Sequence, residues 1–420
     1  MNISAMRWLS SKLLFFRFFF LFVAFFIVSF SFGYYLLPDI GQYTQRVFQT
    51  AASWTGDHIF HLQRPYIAEL ISDSTGFYLN VFNILVFAAL VATGWGLLSK
   101  KVRSHDQLLY WFTAFVRYYL ALQLFIYGCS KLFKVQFYLP EPNILYTRLG
   151  QVPRDLLYWS TMGVSRPYNI FLGMTEVIAG ALLLFRKSSL AGAFFSFFIL
   201  INVVVINFAY DISVKLLSCF LLALSVYLLA LQAKRIARFF SGQSTPPNVY
   251  WKPGWIQPRR KSLYRLSKAI VISLILSESL WAYIRAGNFD DDAMARPYFH
   301  GAYSVETFIL NGDTLPPLLT DTLRWKRVFF HRHGYFITET MNEDMQDYEM
   351  SFDTTRKEIS INLYKTKEPI TFSYHLPQPG FLILEGRIRE NQVKAILQKL
   401  DLRQLPLLKK EFNWTTDNGQ

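Results

Sequence analysis

Two ionisable residues stand inside successive long apolar runs: Arg117 in the run around Phe115, and Glu176 in the run that ends at Arg186. A charge at the centre of a bilayer costs roughly 3 kcal/mol on insertion scales, so such residues are retained for a reason. Arg117 lies 11 residues past Asp106 and Glu176 lies 10 residues before Arg186. At about 1.5 Å of rise per residue, both fall some 15 Å from the inner edge, on consecutive antiparallel helices. This spacing points to a midplane Arg117–Glu176 ion pair, either locking two helices together or serving a quinone headgroup or a moving proton. At about 100° per residue, Arg117, Leu124, Gly128 and Lys131 share one stripe, and Gly173, Glu176 and Gly180 share another. Glycines beside a charge let two backbones approach closely. A second polar layer lies nearer the outer surface: Lys131, Asn202, Asn207, Asp211, Lys215 and Glu278. Lys131 and Lys215 can reach the interface along their own stems, whereas Glu278 has no such escape.

Other residues with chemical potential are sparser. Asp57, His58 and His61 could form a metal pair on a helix face, but no third ligand stands at a fixed spacing. His331-Arg332-His333, with His300 and His375, could build a second such site in the C-terminal part. Nothing in the spacing requires metal, and none is predicted. Cys129 and Cys219 both fall in apolar runs and form no C-x-x-C pair, which fits packing residues rather than a disulfide or redox motif. The sequence holds no nucleophile elbow, metalloprotease helix, phosphate loop or dinucleotide fingerprint, so no catalytic residue is predicted.

The elements that must position these residues are mostly membrane helices. With 52% hydrophobic and 18% aromatic residues in 420, the chain is too apolar for an ordinary soluble enzyme. About seven spans are predicted: Phe18–Tyr35, Phe77–Leu98, Leu108–Leu132, Tyr168–Phe185, Leu190–Tyr210, Ile212–Leu231 and Tyr264–Ile284. The net charge of +14 comes from basic residues at the ends of these runs rather than from one soluble face, which argues against nucleic acid. Arg7, Lys12, Lys100, Lys101, Arg103, Arg186, Lys187, Lys234, Arg235, Arg238, Lys252, Arg259, Arg260, Lys261 and Arg265 fall on the inward side if the N-terminus is cytoplasmic. The loop from Lys134 to Pro167, rich in Pro, Tyr and Trp, reads as interfacial, with a short helix near Val152–Thr161.

From about Asn288 the composition turns polar. Residues 1–287 therefore read as a polytopic α-helical membrane domain, and 288–420 as an extracytoplasmic all-β domain. Eight strands are predicted: His300–Leu310, Leu323–His331, Gly334–Thr340, Asp347–Asp353, Lys357–Tyr364, Thr371–His375, Gly380–Arg387 and Gln392–Leu400. An antiparallel meander of this kind closes as a lipocalin-like barrel or packs as a sandwich. Trp325, Phe329, Tyr335, Phe372, Tyr374 and Phe381 are its expected core, or the lining of a lipid or quinone pocket.

Arg117, then Gly128-Cys129-Ser130-Lys131-Leu132, then Glu176-Val177-Ile178-Ala179-Gly180-Ala181-Leu182-Leu183 and the basic Arg186 follow in that order. This pattern resembles the DoxX family of small four-helix membrane proteins, over a core of about 108–231. Two helices before that core, one after it and the β domain look like the longer DoxX-like proteins with a C-terminal extension. The resemblance implies a membrane subunit linked to quinone-coupled sulfur oxidation or oxidant tolerance, and it carries over no catalytic residue.

The combined expectation is an inner-membrane DoxX-like protein, a non-catalytic or accessory subunit of an envelope redox or stress system. It would meet the lipid membrane and a membrane or periplasmic protein partner. One alternative is a quinone-binding oxidoreductase subunit using the Arg117/Glu176 layer. Another is a carrier of lipid or apolar ligand between membrane core and β domain. No cofactor is predicted; a quinone is the one ligand of that kind the polar layer could take.

Overall fold

The computed structural model describes residues 10–99, 102, 104–245, 261–362 and 369–409. In chain order the helices are α1 (Ser10–Ser29), α2 (Gly41–His58), α3 (Thr75–Leu98), α4 (Asp106–Leu132), α5 (Pro142–Tyr146), α6 (Arg154–Val164), α7 (Arg166–Leu184), α8 (Ser189–Ala209), α9 (Lys215–Ala230), α10 (Ala233–Phe240) and α11 (Lys261–Ala286). Strands β1 to β9 follow: Gly301–Leu310, Asp313–Thr314, Trp325–Phe330, Tyr335–Thr340, Met345–Asp353, Glu358–Asn362, Ile370–His375, Phe381–Ile388 and Asn391–Lys399. The chain divides into two compact units. Residues 1–136 with 167–290 form one, and 137–166 with 291–420 form the other.

The first unit is that of a membrane protein. α1, α3, α4, α7, α8 and α11 are each long and apolar enough to cross a membrane. Several have large exposed apolar side chains such as Leu90, Phe195 and Phe208, because lipid rather than water is their outer solvent. The sixth predicted span, Ile212–Leu231, corresponds to α9, an apolar helix of 16 residues that is shorter than the other six and is followed by α10 across a bend of 71°. Of the basic residues assigned to inward boundaries, Arg7, Lys100, Lys101, Arg103, Lys252, Arg259 and Arg260 lie outside the described residues, and of Lys261 only the backbone is described.

Tight helix contacts hold this unit together. Asn80 Nδ2 donates to Ser29 Oγ at 3.0 Å, Thr55 Oγ1 to Asn83 Oδ1 at 2.9 Å, and Gln123 Nε2 to the Tyr34 hydroxyl at 2.7 Å. Asp73 caps α9 by accepting the Lys215 and Leu216 N–H groups at 2.7 and 3.0 Å. Four orphan N–H groups begin every helix, so a carboxylate there satisfies two and meets the positive end of the dipole.

The second unit is a closed antiparallel barrel. β1, β3, β4, β5, β6, β7, β8 and β9 pair in sequence, and β1 also pairs β9, which closes the ring so that none of these eight strands is an edge strand. The two-residue β2 hangs from the end of β1. Alternation places each predicted strand, apart from Leu363 and Tyr364, which lie outside the described residues. Closure by β1 and β9 decides for the barrel over the sandwich.

The expected core needs correction. Trp325, Phe372 and Tyr374 are interior, but Phe329 belongs to an outer cluster with Ala302 and Ile337, against Tyr146 of α5. Tyr335 packs on that same cluster, and Phe381 is absent from the interior. The interior aromatics include Tyr303, Phe308, Trp325, Phe330, Phe336, Phe372 and Tyr374, and contacting ring pairs among the phenylalanines and Trp325 have centroids 5.3–6.3 Å apart. A bulge between Trp325 and Arg327 shifts the alternation of β3, so that Val328 and Phe330 face in and Phe329 faces out. One mouth remains open as a cup of about 660 Å³, floored by Phe308, Trp325 and Val393 and walled by Leu310, Ile361 and Ile370.

Candidate functional site

The strongest site the sequence proposes is the polar core of the helical unit, and the structure rearranges it. Glu176 does not pair with Arg117. Both of its carboxylate oxygens accept from Lys131 Nζ, at 3.0 and 2.9 Å, with both side chains buried. Arg117, also buried, donates from Nε and Nη2 to the carbonyl of Leu183 at 3.1 and 2.7 Å. A cation on the last carbonyls of α7 satisfies a helix end and meets the negative end of its dipole.

The register explains the exchange. Gly128 faces Gly173 and Gly180 faces Ala121, so the level opposite Arg117 is near Leu184 and the level opposite Glu176 is near Phe125. Counting inward from the nearest boundary misplaces both charges, because α4 starts at Asp106, well past the level at which α7 stops. Helical side chains also lean toward their own N-terminus. On antiparallel helices that lean brings Lys131 and Glu176 together and carries Arg117 away from Glu176.

The glycines set how closely the two helices meet. A methyl on Gly173 would lie 2.7 Å from the Gly128 carbonyl oxygen, and one on Gly128 would lie 2.9 Å from Val177 and 3.0 Å from the Gly173 oxygen. Gly180 is looser, with Ala121 and Phe125 at 3.3 Å. Gly173→Ala is therefore expected to lower the stability of the helical unit by about 1–3 kcal/mol, while Gly180→Ala stays nearer neutral. Thermal unfolding of the two variants in one detergent checks this order.

Glu278 of α11 has a different occupation. Its carboxylate accepts the backbone N–H groups of Tyr35, Leu36 and Leu37 at 2.8, 2.7 and 2.9 Å. Asp39 completes the same turn through Ser31 Oγ and the Gly33 N–H, where Gly33 takes a φ of 65°. Of the rest of the outer layer, Lys215 reaches Asp211 at 2.7 Å, and Asn207 Nδ2 donates to the Val214 carbonyl at 3.5 Å. Asn202 is exposed on α8, and its side chain has no hydrogen bond among the described residues.

The histidine candidates have other partners in the fold. His58 Nδ1 hydrogen-bonds the Trp54 carbonyl, and Asp57 takes Arg64 and Tyr66 instead. Among the described residues no group of three metal-ligating side chains converges. His300 and His331 meet on something the sequence did not single out, the carboxylate of Glu141 in the second unit. His300 Nε2 is 3.1 Å from Glu141 Oε2 and His331 Nε2 is 3.7 Å from it, while Arg332 donates through its backbone N–H at 3.3 Å and through Nε. Arg332 Nη1 also reaches Asp291 at 2.6 Å, and its guanidinium lies 4.1 Å over the Tyr138 ring. Burial alone would raise the Glu141 carboxyl, but the His300 hydrogen bond and the Arg332 charge outweigh it and hold it at about 2. Burial pushes the His331 imidazole below its ordinary value. This cluster fastens 137–166 to β1 and the β3–β4 turn within one unit, and its guanidinium argues against a cation there.

Comparison with known proteins adds one relationship. Over 145 residues the sequence is 30% identical to the uncharacterized protein YwoB of Bacillus subtilis (strain 168), a stretch covering 34% of this chain and 88% of that protein. The chain belongs to the YwoB family. YwoB is much shorter than this chain, so the family stretch accounts for one part of it. No family model matches the chain, and no solved structure matches it.

Proposed function

We propose that this chain is a DoxX-like inner-membrane protein acting as an accessory subunit of an envelope redox or stress system, not as an enzyme. The observation that carries the reading is the Lys131–Glu176 pair. It joins the lysine of the G-x-x-K-L run to the glutamate that opens the E-x-x-x-G run, with Gly128 and Gly173 packed between them. The G-x-x-K-L and E-x-x-x-G runs behind the DoxX resemblance thus meet as one helix-locking device, while Arg117 stands apart on the Leu183 carbonyl. Arg117 and Glu278 are likewise engaged with backbone groups of the chain, which favours a scaffold over a quinone-binding layer.

Connectivity supports the orientation. The chain passes into the second unit twice, after α4 and again after α11. Counting α9, which ends where α10 turns away, as a span of its own puts three spans before the first passage and seven before the second. Both counts are odd, so both passages start on the side opposite the N-terminus; a total of six spans would put them on different sides. With Lys12, Arg186, Lys187, Lys234, Arg235 and Arg238 facing the cytoplasm, the barrel is extracytoplasmic.

Asn202 favours a partner in the membrane. An amide facing lipid without a hydrogen bond is stabilised when a neighbouring helix supplies one. Purified in mild detergent, the full chain is expected to carry a membrane partner detectable by native mass spectrometry, and Asn202→Leu to weaken that association. A chain that runs only as a monomer with both sequences would contradict the accessory reading. Quinone reduction abolished by Arg117→Ala, with the protein still accumulating, would instead favour the oxidoreductase. The carrier reading retains the cup at the barrel mouth, although the aromatic packing beneath it interrupts any passage along the barrel axis.

A further inference from the structure

α10 follows a membrane helix but turns away from it by 71°. Its eight residues, AKRIARFF, separate by face. At about 100° per residue, Lys234, Arg235 and Arg238 fall within one arc of about 100°, and Ala233, Ile236, Ala237, Phe239 and Phe240 fill the opposite one. The apolar arc is half-buried at Ile236, and at its edge the Phe240 ring lies 6.4 Å from Phe194 of α8. Phe239 and Phe240 otherwise remain 70% and 69% exposed. Among the described residues, the side chains of Lys234, Arg235 and Arg238 form no ion pair or hydrogen bond.

We infer that α10 lies in the plane of the membrane interface, with its phenylalanines in the acyl region and its three cations on anionic phospholipid headgroups. A helix with a lipid-exposed aromatic face and unpaired cations on the other face, starting where a span ends, suits that boundary on both sides. Water would oppose the exposed phenylalanines, and the hydrocarbon core would oppose the cations. Charge complementarity selects anionic headgroups over zwitterionic ones. The inference rests on the helices crossing a membrane and not on which side the chain's ends lie, nor on the accessory role.

The test uses the full chain in nanodiscs of phosphatidylcholine mixed with phosphatidylglycerol. Native mass spectrometry after gentle release is expected to show retained phosphatidylglycerol in preference to phosphatidylcholine. Lys234→Gln/Arg235→Gln/Arg238→Gln should lower that preference by about tenfold, and added salt should lower it in the unaltered chain. An unchanged lipid ratio in the triple variant would overturn the inference. A spin label at Phe239→Cys, with Cys129 and Cys219 replaced by Ala, gives an independent reading. It should report a shallow acyl depth, shielded from an aqueous relaxation agent, and a label freely open to water would overturn the proposal even if the triple variant failed to fold.

Discussion

Lys131→Met is expected to destabilise the helical unit by about 3–5 kcal/mol, because it leaves the Glu176 carboxylate buried without the ammonium that faces it. The partners are 2.9 Å apart with almost no exposed side-chain surface, so water cannot replace the lost donor. Glu176→Gln should cost less, since an amide still accepts one hydrogen bond from Lys131 Nζ. Lys131→Met combined with Glu176→Leu should recover much of the loss, because an apolar pair removes both desolvation penalties. Unfolding of the reconstituted chain, followed by the fraction resistant to denaturing detergent, gives the three values on one scale.

Glu141→Gln is expected to lower the stability of the barrel unit at neutral pH by on the order of 3 kcal/mol. The basis is a carboxyl held at about 2 against an ordinary value of 4.5. Between those values the folded state binds fewer protons than the unfolded state. The contribution is therefore complete above about pH 4.5 and is lost as pH falls through about 2. His331 acts in the same direction, because an imidazole held below 6.5 by burial opposes its own protonation in the folded state. Hydrogen exchange of the β3 and β4 amides across that range should show steep acid opening in the unaltered chain. The variant should show a shallower slope from a lower neutral-pH stability. Equal neutral-pH protection in both would remove Glu141 from this role.

The two units were legible to different depths. In the barrel, alternation placed the strands because one face of each is buried and the other is not, as in Ile359 and Ile361 of β6. It failed for Phe329 because a bulge inserts a residue into β3 and reverses parity, which no pattern of side chains records. Apolar length located the spans, but the pairing of charges within them depends on helix register. Register is set by which glycine meets which, so Arg117 and Glu176 look level in the sequence when they are not. The Glu141 cluster lay beyond reach for another reason. Its partners stand 159 and 191 residues away in sequence, and only the closed barrel brings them to one carboxylate.

The most direct test of the polar core is a pair of double-mutant cycles that share Glu176, one with Lys131 and one with Arg117, measured in the same lipid. The Gly128–Gly173 register predicts a coupling of about 1–3 kcal/mol between Lys131 and Glu176 and a value close to zero between Arg117 and Glu176. A large Arg117–Glu176 coupling beside a negligible Lys131–Glu176 one would contradict it.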